Sequence, residues 1–384
     1  MLSVFGGDFA RNPWPVLREL RAENGGVHRV VTPDGPPAWL VTRHGDVRSG
    51  LLDERLVTDL RHARGDDYKG FAVPPPMDVF SRSDSERLGR LRRSITAELH
   101  PGRLGQWGEL VETLVSPLVQ QLDTDPFFDF VERVAIPLPA DILEQLLGLP
   151  PAAGDQLRRW AESTLRPGME VRARDTLATM RRILDEAIAH GRRDESAMIG
   201  RLVHSGSLDE GEVFGLLFYL LFVWYEVLAD LLAGAVAAFS DNPAQLEKFM
   251  GTEPVKAVDE LIRYLSPQVT ASPRFATEDL VIQGHSIKAG QTVLLSLAAA
   301  NHDEDVFEDP EVLDVGRSST SHVGFGYGAH ACVGTGLVRP VAAAALSLIY
   351  TRWPKLRLAK GSEELLWRNG FRHRGPLALP VAVR

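Results

Sequence analysis

The strongest hydrophobic feature is the run GLLFYLLFVWYEVLADLLAGAVAAF, from Gly215 to Phe239. It is long enough to span a bilayer. Glu226 and Asp230 stand near its middle, where a carboxylate in lipid would be costly. The run therefore predicts a long helix through the centre of a folded protein rather than a membrane span. Elsewhere the apolar positions recur at shorter intervals. Helical periodicity predicts Pro13–Glu23, Ser85–Leu99, several helices between Leu104 and Ile199, and a last helix near Gly334–Trp353. Proline pairs at Pro137–Pro139 and Pro150–Pro151 mark breaks. Val27–Thr32 and Pro37–Thr42 flank Pro33-Asp34-Gly35 and predict a hairpin. After Tyr264 the texture turns to short strands, such as Leu280–Ile282 and Thr292–Leu297, and LALPVAV at the end predicts one more. Asp59–Ser83, rich in Arg, Asp, Gly and Pro, predicts a long loop.

No repeat, low-complexity tract or linker interrupts the pattern, so 1–384 is expected to be a single, mainly α domain with a small β-rich lobe. Composition agrees: 44% hydrophobic and 24% charged residues are close to globular averages. A net charge of -9 argues against a general nucleic-acid binder. The amino terminus lacks a basic segment followed by an apolar stretch, so neither a signal peptide nor a membrane anchor is expected, and a cytoplasmic location is.

The single cysteine, Cys332, changes the picture. It rules out a disulfide framework and any multi-cysteine metal site. It sits in FGYGAHACVG, just before the last predicted helix. A buried inert thiol is the commonest fate of such a residue. A nucleophile paired with His330 has poor geometry at two residues' spacing. Gly324, Gly326 and Ala329 formally match a dinucleotide loop, but no acidic residue occurs between Asp314 and Glu363 to hold a ribose. A thiolate ligand to haem iron accounts for cysteine, glycines and helix together: glycines keep side chains off a flat ring, and N–H groups with the helix terminus stabilise the thiolate.

The run Phe325-Gly326-x-Gly328-x-His330-x-Cys332-x-Gly334 resembles the haem-binding loop of the cytochrome P-450 family, soluble bacterial class. The resemblance extends over nearly the whole chain, from PAWLVTRHGDV through ATEDLVIQGHSIKAG and LAAANHDEDVFEDP to LALPV. It implies the cytochrome P-450 fold, a triangular helix-rich domain with a small β-rich lobe. It implies haem b (iron protoporphyrin IX) held by Cys332, with Phe325, Gly326 and Gly334 shaping the loop. DELIRY resembles the family's E-x-x-R element, so Glu260 and Arg263 are expected to be buried and joined by Arg317. Arg92, Arg274, His322 and His330 are the implied donors to the haem propionates. Many bacterial relatives also place a histidine four residues before the first of these; here Leu88 stands there.

The long helix departs from the family. The usual Ala/Gly-Gly-x-Asp/Glu-Thr is here Val223-Trp224-Tyr225-Glu226-Val227. The acid remains, but Val227 cannot hydrogen-bond. Trp224 either narrows the oxygen pocket or points away into the core. Glu226, Val227 and Trp224 are the expected catalytic positions. Val223, Val269, Thr270 and Phe371 are the implied substrate pocket, and the loop Asp59–Ser83 the implied lid. Arg64, Lys69, Arg372 and His373 are candidates to meet a carboxylate on the substrate. The lost threonine and the aromatics Phe218, Tyr219, Phe222, Trp224 and Tyr225 favour oxidative crosslinking of aromatic groups in a peptide natural product. Conventional hydroxylation of a small natural product and a non-catalytic haem-protein scaffold are the alternatives. The chain has no flavin or iron–sulfur segment of its own. Ferredoxin and ferredoxin reductase are therefore the expected electron donors, docking near Arg90, Arg93 and Arg103, with dioxygen as co-substrate.

Overall fold

A computed structural model describes the chain except residues 34–36, 65–84, 101, 103–106, 166–172, 319–320, 369 and 384. The chain forms two compact units, and the sequence passes repeatedly from one to the other. One comprises 1–73, 241–332 and 363–376; the other comprises 74–240, 333–362 and 377–384.

The first unit is built on a six-stranded mixed sheet. Its strand order is Leu2–Ser3, Val27–Val31, Ala38–Val41, Thr292–Leu295, Arg274–Ala276, Leu56–Val57. Thr292–Leu295 lies inside this order and is buried at every position. That explains the apolar run Val293-Leu294-Leu295 after its first residue, the mark of a strand covered on both faces. Val41, Val293 and Leu295 belong to one apolar layer with Val47 and Leu51. Leu40 and Leu294 belong to another, with Phe5, Phe9 and Phe371. The alternation along each strand thus serves two cores at once. The helix Pro254–Leu265 starts with proline in its first turn, where the missing N–H costs nothing.

The second unit is helical: Ser85–Glu98, Trp107–Leu122, Pro137–Leu147, Pro151–Leu165, Ala173–Gly191, Met198–His204, Glu210–Asp241 and Thr335–Arg352. A three-stranded sheet of Arg357–Leu358, Pro380–Ala382 and Phe127–Asp129 completes it. The long helix Glu210–Asp241 is apolar and long enough to cross a membrane, but 81% of its most apolar window is buried inside the protein.

The predicted helices and the hairpin strands lie where the periodicity puts them, within a residue or two. Other boundaries differ: the last strand fills only Pro380–Ala382 of LALPVAV. Thr292–Leu297 stops at Leu295, and a short helix, Leu297–Asn301, follows, started by the Ser296 hydroxyl accepting the N–H of Ala299. The long helix begins five residues before its apolar run. Asp209 Oδ1 accepts Glu212 N at 2.8 Å and Glu212 Oε2 accepts Asp209 N at 3.0 Å, a reciprocal capping box. Glu212 is buried, and Arg87 Nε and Arg90 Nη2 donate to it at 2.8 and 2.5 Å.

Candidate functional site

Glu260, Arg263 and Arg317 come together in the first unit. Arg263 is 1% exposed. Its Nε and Nη2 donate to the two oxygens of Glu260 at 2.7 and 2.8 Å. Its Nη1 donates to the carbonyls of Asn301 and Pro310 at 2.9 and 2.8 Å. Arg317 Nε and the N–H of Asp314 supply further donors to Glu260. A buried ion pair repays its desolvation only when its remaining lone pairs and protons are matched, and here they are.

Asn301 carries this network to the cysteine loop. It is fully buried. Its side-chain oxygen accepts the N–H of Val323 at 2.8 Å, and its amide donates to Ser266 Oγ at 3.2 Å. One residue later, a Cβ on Gly324 would lie 2.6 Å from Ile262 Cγ2, so only glycine lets the loop approach the E-x-x-R helix so closely. Gly326 turns the chain at φ 69°, and Cys332 N donates to Phe325 O at 2.8 Å, closing the loop. The Phe325 ring lies half-buried, 5.9 Å from the His322 ring. Cys332 and His330 are exposed. Gly334 caps the last helix, its carbonyl accepting Leu337 N and Val338 N at 2.9 Å each. Asn301 was missed at the sequence level. Its polar side chain amid AAA, at the end of LAAAN, was the available signal.

The four expected propionate donors divide. Arg274 lies in a sheet strand, 2% exposed, and its Nε and Nη1 reach no hydrogen-bond partner among the described residues. Burial pushes its pKa down to about 10. A buried, unmatched guanidinium calls for an anion from outside the chain, and a haem propionate fits it. Arg92 is half-buried in a cleft with Arg93, Thr96, Ala97, His100 and Gly102. Leu88, one turn earlier, is buried as an ordinary apolar residue. His322 is the correction. Its Nε2 contacts Asp259 Oδ1 at 3.2 Å and its Nδ1 accepts the N–H of Gly324 at 3.2 Å. With both ring nitrogens engaged, it braces the loop instead of offering a donor.

On the long helix, between Gly215 and Phe239, the described side chains keeping partial exposure are Tyr219, Glu226 and Val227. These positions share one helical face. Trp224 is not on it. Its indole N–H donates to the carbonyl of Pro139 at 3.3 Å, and the ring is buried. The expectation of a catalytic or pocket-narrowing Trp224 is therefore corrected: the ring turns inward, toward the helix Pro137–Leu147. Phe218 and Tyr225 are likewise buried. The side chains of Phe222 and Val223 lie outside the described residues.

Val269, Thr270 and Phe371 are brought together in the first unit. Val269 N donates to Arg372 O at 2.8 Å, and Thr270 Oγ1 donates to Phe371 O at 2.9 Å. However, Val269 and Phe371 pack in the core with Phe5 and Phe9, the Phe5 and Phe371 rings 5.5 Å apart. The expectation that these two line a substrate pocket is corrected to core packing, because the amino-terminal segment covers them. Arg372 and His373 are half-buried and Arg64 is exposed. Most of the expected lid, with Lys69, and Arg103 of the expected docking patch lie outside the described residues. Arg90 donates to Glu212 yet keeps much of its side chain exposed, and Arg93 is exposed, so both described members of that patch reach the surface.

Comparison with known proteins gives a consistent family. The cytochrome P450 family profile matches residues 255–352. The chain is 32% identical to the cytochrome P450 monooxygenase PikC of Streptomyces venezuelae, over 100% of this chain and 94% of PikC. It is 33% identical to the mycinamicin IV hydroxylase/epoxidase of Micromonospora griseorubida, over 92% of each. Among solved structures, the bacillaene polyketide synthase cytochrome P450 PksS of Bacillus subtilis superposes with a TM-score of 0.88. The two are 28% identical and both chains are fully covered.

Proposed function

The chain belongs to the cytochrome P450 family, with its fold, its haem b cofactor and its oxygen-dependent oxidoreductase chemistry, and from that premise we propose that it hydroxylates a small natural product. The carrying observation is the exposed Cys332 on a glycine loop braced by Glu260, Arg263, Arg317 and Asn301. In this reading Cys332 is the sulfur ligand, and Arg274, Arg92 and His330 hold the propionates. Bound haem supplies the activation of dioxygen, with electrons from ferredoxin and ferredoxin reductase. The chain's own part on the open face of the long helix falls to Glu226, which passes protons inward from water. Val227 keeps that face apolar beside it. Full-length coverage of the relatives supports reading 1–384 as one domain. The burial of the long helix argues against its spanning a membrane, and the bacterial relatives support a cytoplasmic location.

Hydroxylation is preferred to peptide crosslinking for two reasons. Trp224, Tyr225 and Phe218, three of the five aromatics that favoured coupling, are buried. Two of the relatives are described as a monooxygenase and a hydroxylase/epoxidase. The missing threonine at Val227 and the half-buried Tyr219 on the open face are what still favour coupling.

Reduced protein with carbon monoxide should give the red-shifted band of thiolate haem, and Cys332→Ala should abolish it. Retention of the band in that variant overturns the ligand assignment. With substrate, reductant and oxygen, the product should gain one oxygen. Loss of two hydrogens instead would restore the coupling reading. A non-catalytic scaffold predicts that the Cys332→Ala protein still supports its pathway.

A further inference from the structure

The acid on the long helix has lost its alcohol neighbour at Val227, yet it does not lack a hydroxyl. The Tyr225 hydroxyl donates to Glu226 Oε1 at 3.3 Å. The two residues differ in their surroundings. Tyr225 is 1% exposed, and its ring packs edge-to-face on Trp160 with centroids 4.5 Å apart at 64°. A buried aromatic with two side-chain torsions is a stiff support. Glu226 is half-buried on the open face, with Tyr219 and Val227. A hydroxyl rooted in the core therefore holds one oxygen of a carboxylate that reaches the open side.

We propose that Tyr225 is a positioning residue for Glu226: its hydroxyl fixes the carboxylate rotamer and takes over, from behind the acid, the hydroxyl function that Val227 cannot provide. This rests on the reading of the chain as an oxygen-activating haem enzyme. Tyr225 is not itself the proton source. A phenol is a weaker acid than a carboxylic acid by about six pKa units, so giving its proton to Glu226 would be strongly uphill. The phenol keeps its proton and donates a hydrogen bond, while protons arrive at Glu226 from water. An unfixed glutamate samples several rotamers, and each one that turns it from the reacting centre leaves reduced oxygen to escape as peroxide.

The test has two readouts. The first needs neither turnover nor substrate. The infrared difference between the unsubstituted protein and Glu226→Gln isolates the Glu226 carboxylate stretch. The same difference in a Tyr225→Phe background should show that band displaced, because a donor to one oxygen is gone. An unmoved band overturns the proposal. The second readout is the share of reductant released as hydrogen peroxide. Tyr225→Phe should raise it by about three- to tenfold, the scale of one ordinary intramolecular hydrogen bond. Glu226→Gln should raise it too, and the double variant should go no further than Glu226→Gln alone. Additive effects would mean that Tyr225 does not act through Glu226. Phenylalanine keeps the packing on Trp160. If that variant nonetheless unfolds, Glu226→Asp shortens the acid out of reach of the hydroxyl and must raise peroxide release in the same way; no rise overturns the proposal. The thiolate band with carbon monoxide, measured on each variant, separates a failure of this inference from a failure of the haem assignment.

Discussion

The side-chain oxygen of Asn301 holds the backbone N–H of Val323 at 2.8 Å, two residues before the cysteine loop begins at Phe325. The carbonyl of the same asparagine accepts Arg263 Nη1 at 2.9 Å. One buried residue thus ties the ion-pair network of Glu260 to the segment that carries Cys332. The link is rigid because each polar atom involved has a partner.

Asn301→Ala should cost about 2–3 kcal/mol, because it leaves a buried N–H of Val323 unmatched. Ser266→Ala spares the Val323 bond but removes the hydroxyl that accepts the Asn301 amide and donates to the Arg263 carbonyl, so it should cost about 1–2 kcal/mol. Urea unfolding of the two variants measures the order. Asn301→Ala should also release haem faster, read from transfer to an acceptor apoprotein, while Ser266→Ala should hold it nearly as well as the unsubstituted protein. Equal effects would show that the Val323 bond is not what steadies the loop.

Glu212 makes stability pH-dependent. Burial alone would raise its pKa; the backbone bond at Asp209 and the arginines Arg87 and Arg90 outweigh burial and hold it below 4.5, the ordinary value. A depressed carboxylate contributes stability above its unfolded pKa and loses it as the pH falls through the folded one. Glu212→Gln should therefore be about 1 kcal/mol less stable than the unsubstituted protein at pH 7, a modest figure because both arginines are more than 40% exposed and screened. The gap should close steadily below pH 4.5. A gap that stays constant with pH would show that the charge is not its source.

Trp224→Phe tests the inward orientation of the indole. Loss of its bond to the Pro139 carbonyl should cost about 1 kcal/mol by thermal unfolding. The spectrum of the haem protein and its peroxide release should not change. A spectral shift on this substitution would place the ring beside the haem after all.

Much of this was legible in the sequence, and the rest was not for physical reasons. Periodicity revealed the helices because an apolar stripe is a local property. It missed the start of the long helix because the capping pair Asp209 and Glu212 is polar and precedes the stripe. The pairing of Glu260 with Arg263 was readable from their spacing of three. The role of Asn301 was not, since it depends on Val323 arriving from 22 residues further along the chain. The same holds for Trp224, Val269 and Phe371. Apolar residues look alike in sequence whether they line a pocket or fill a core, and only their neighbours, Pro139 or Phe5 and Phe9, decide. His322 was misread for a related reason: a histidine can donate to a propionate, but the nearby Asp259 and Gly324 had first claim on it.

Arg274 yields the sharpest sign reversal. Its guanidinium is buried, two of its nitrogens reach no partner among the described residues, and burial lowers its pKa from the ordinary arginine range to about 10. A cation whose folded pKa is depressed destabilises the fold throughout the range below that pKa, and the penalty fades only as the pH rises above about 10 toward the ordinary arginine value. At neutral pH the haem-free protein therefore carries a penalty on the order of 3 kcal/mol at this one residue. Arg274→Met fills nearly the same volume without the charge. The haem-free variant should be more stable than the haem-free parent by about 1–3 kcal/mol, since unmatched charge is exchanged for apolar contact. With haem bound the order should invert, because the parent matches the cation with a propionate and the variant cannot. Urea unfolding of both proteins in both states gives the four numbers needed. If the haem-free variant is the less stable, the guanidinium already has a partner within the protein, and its assignment to a propionate fails.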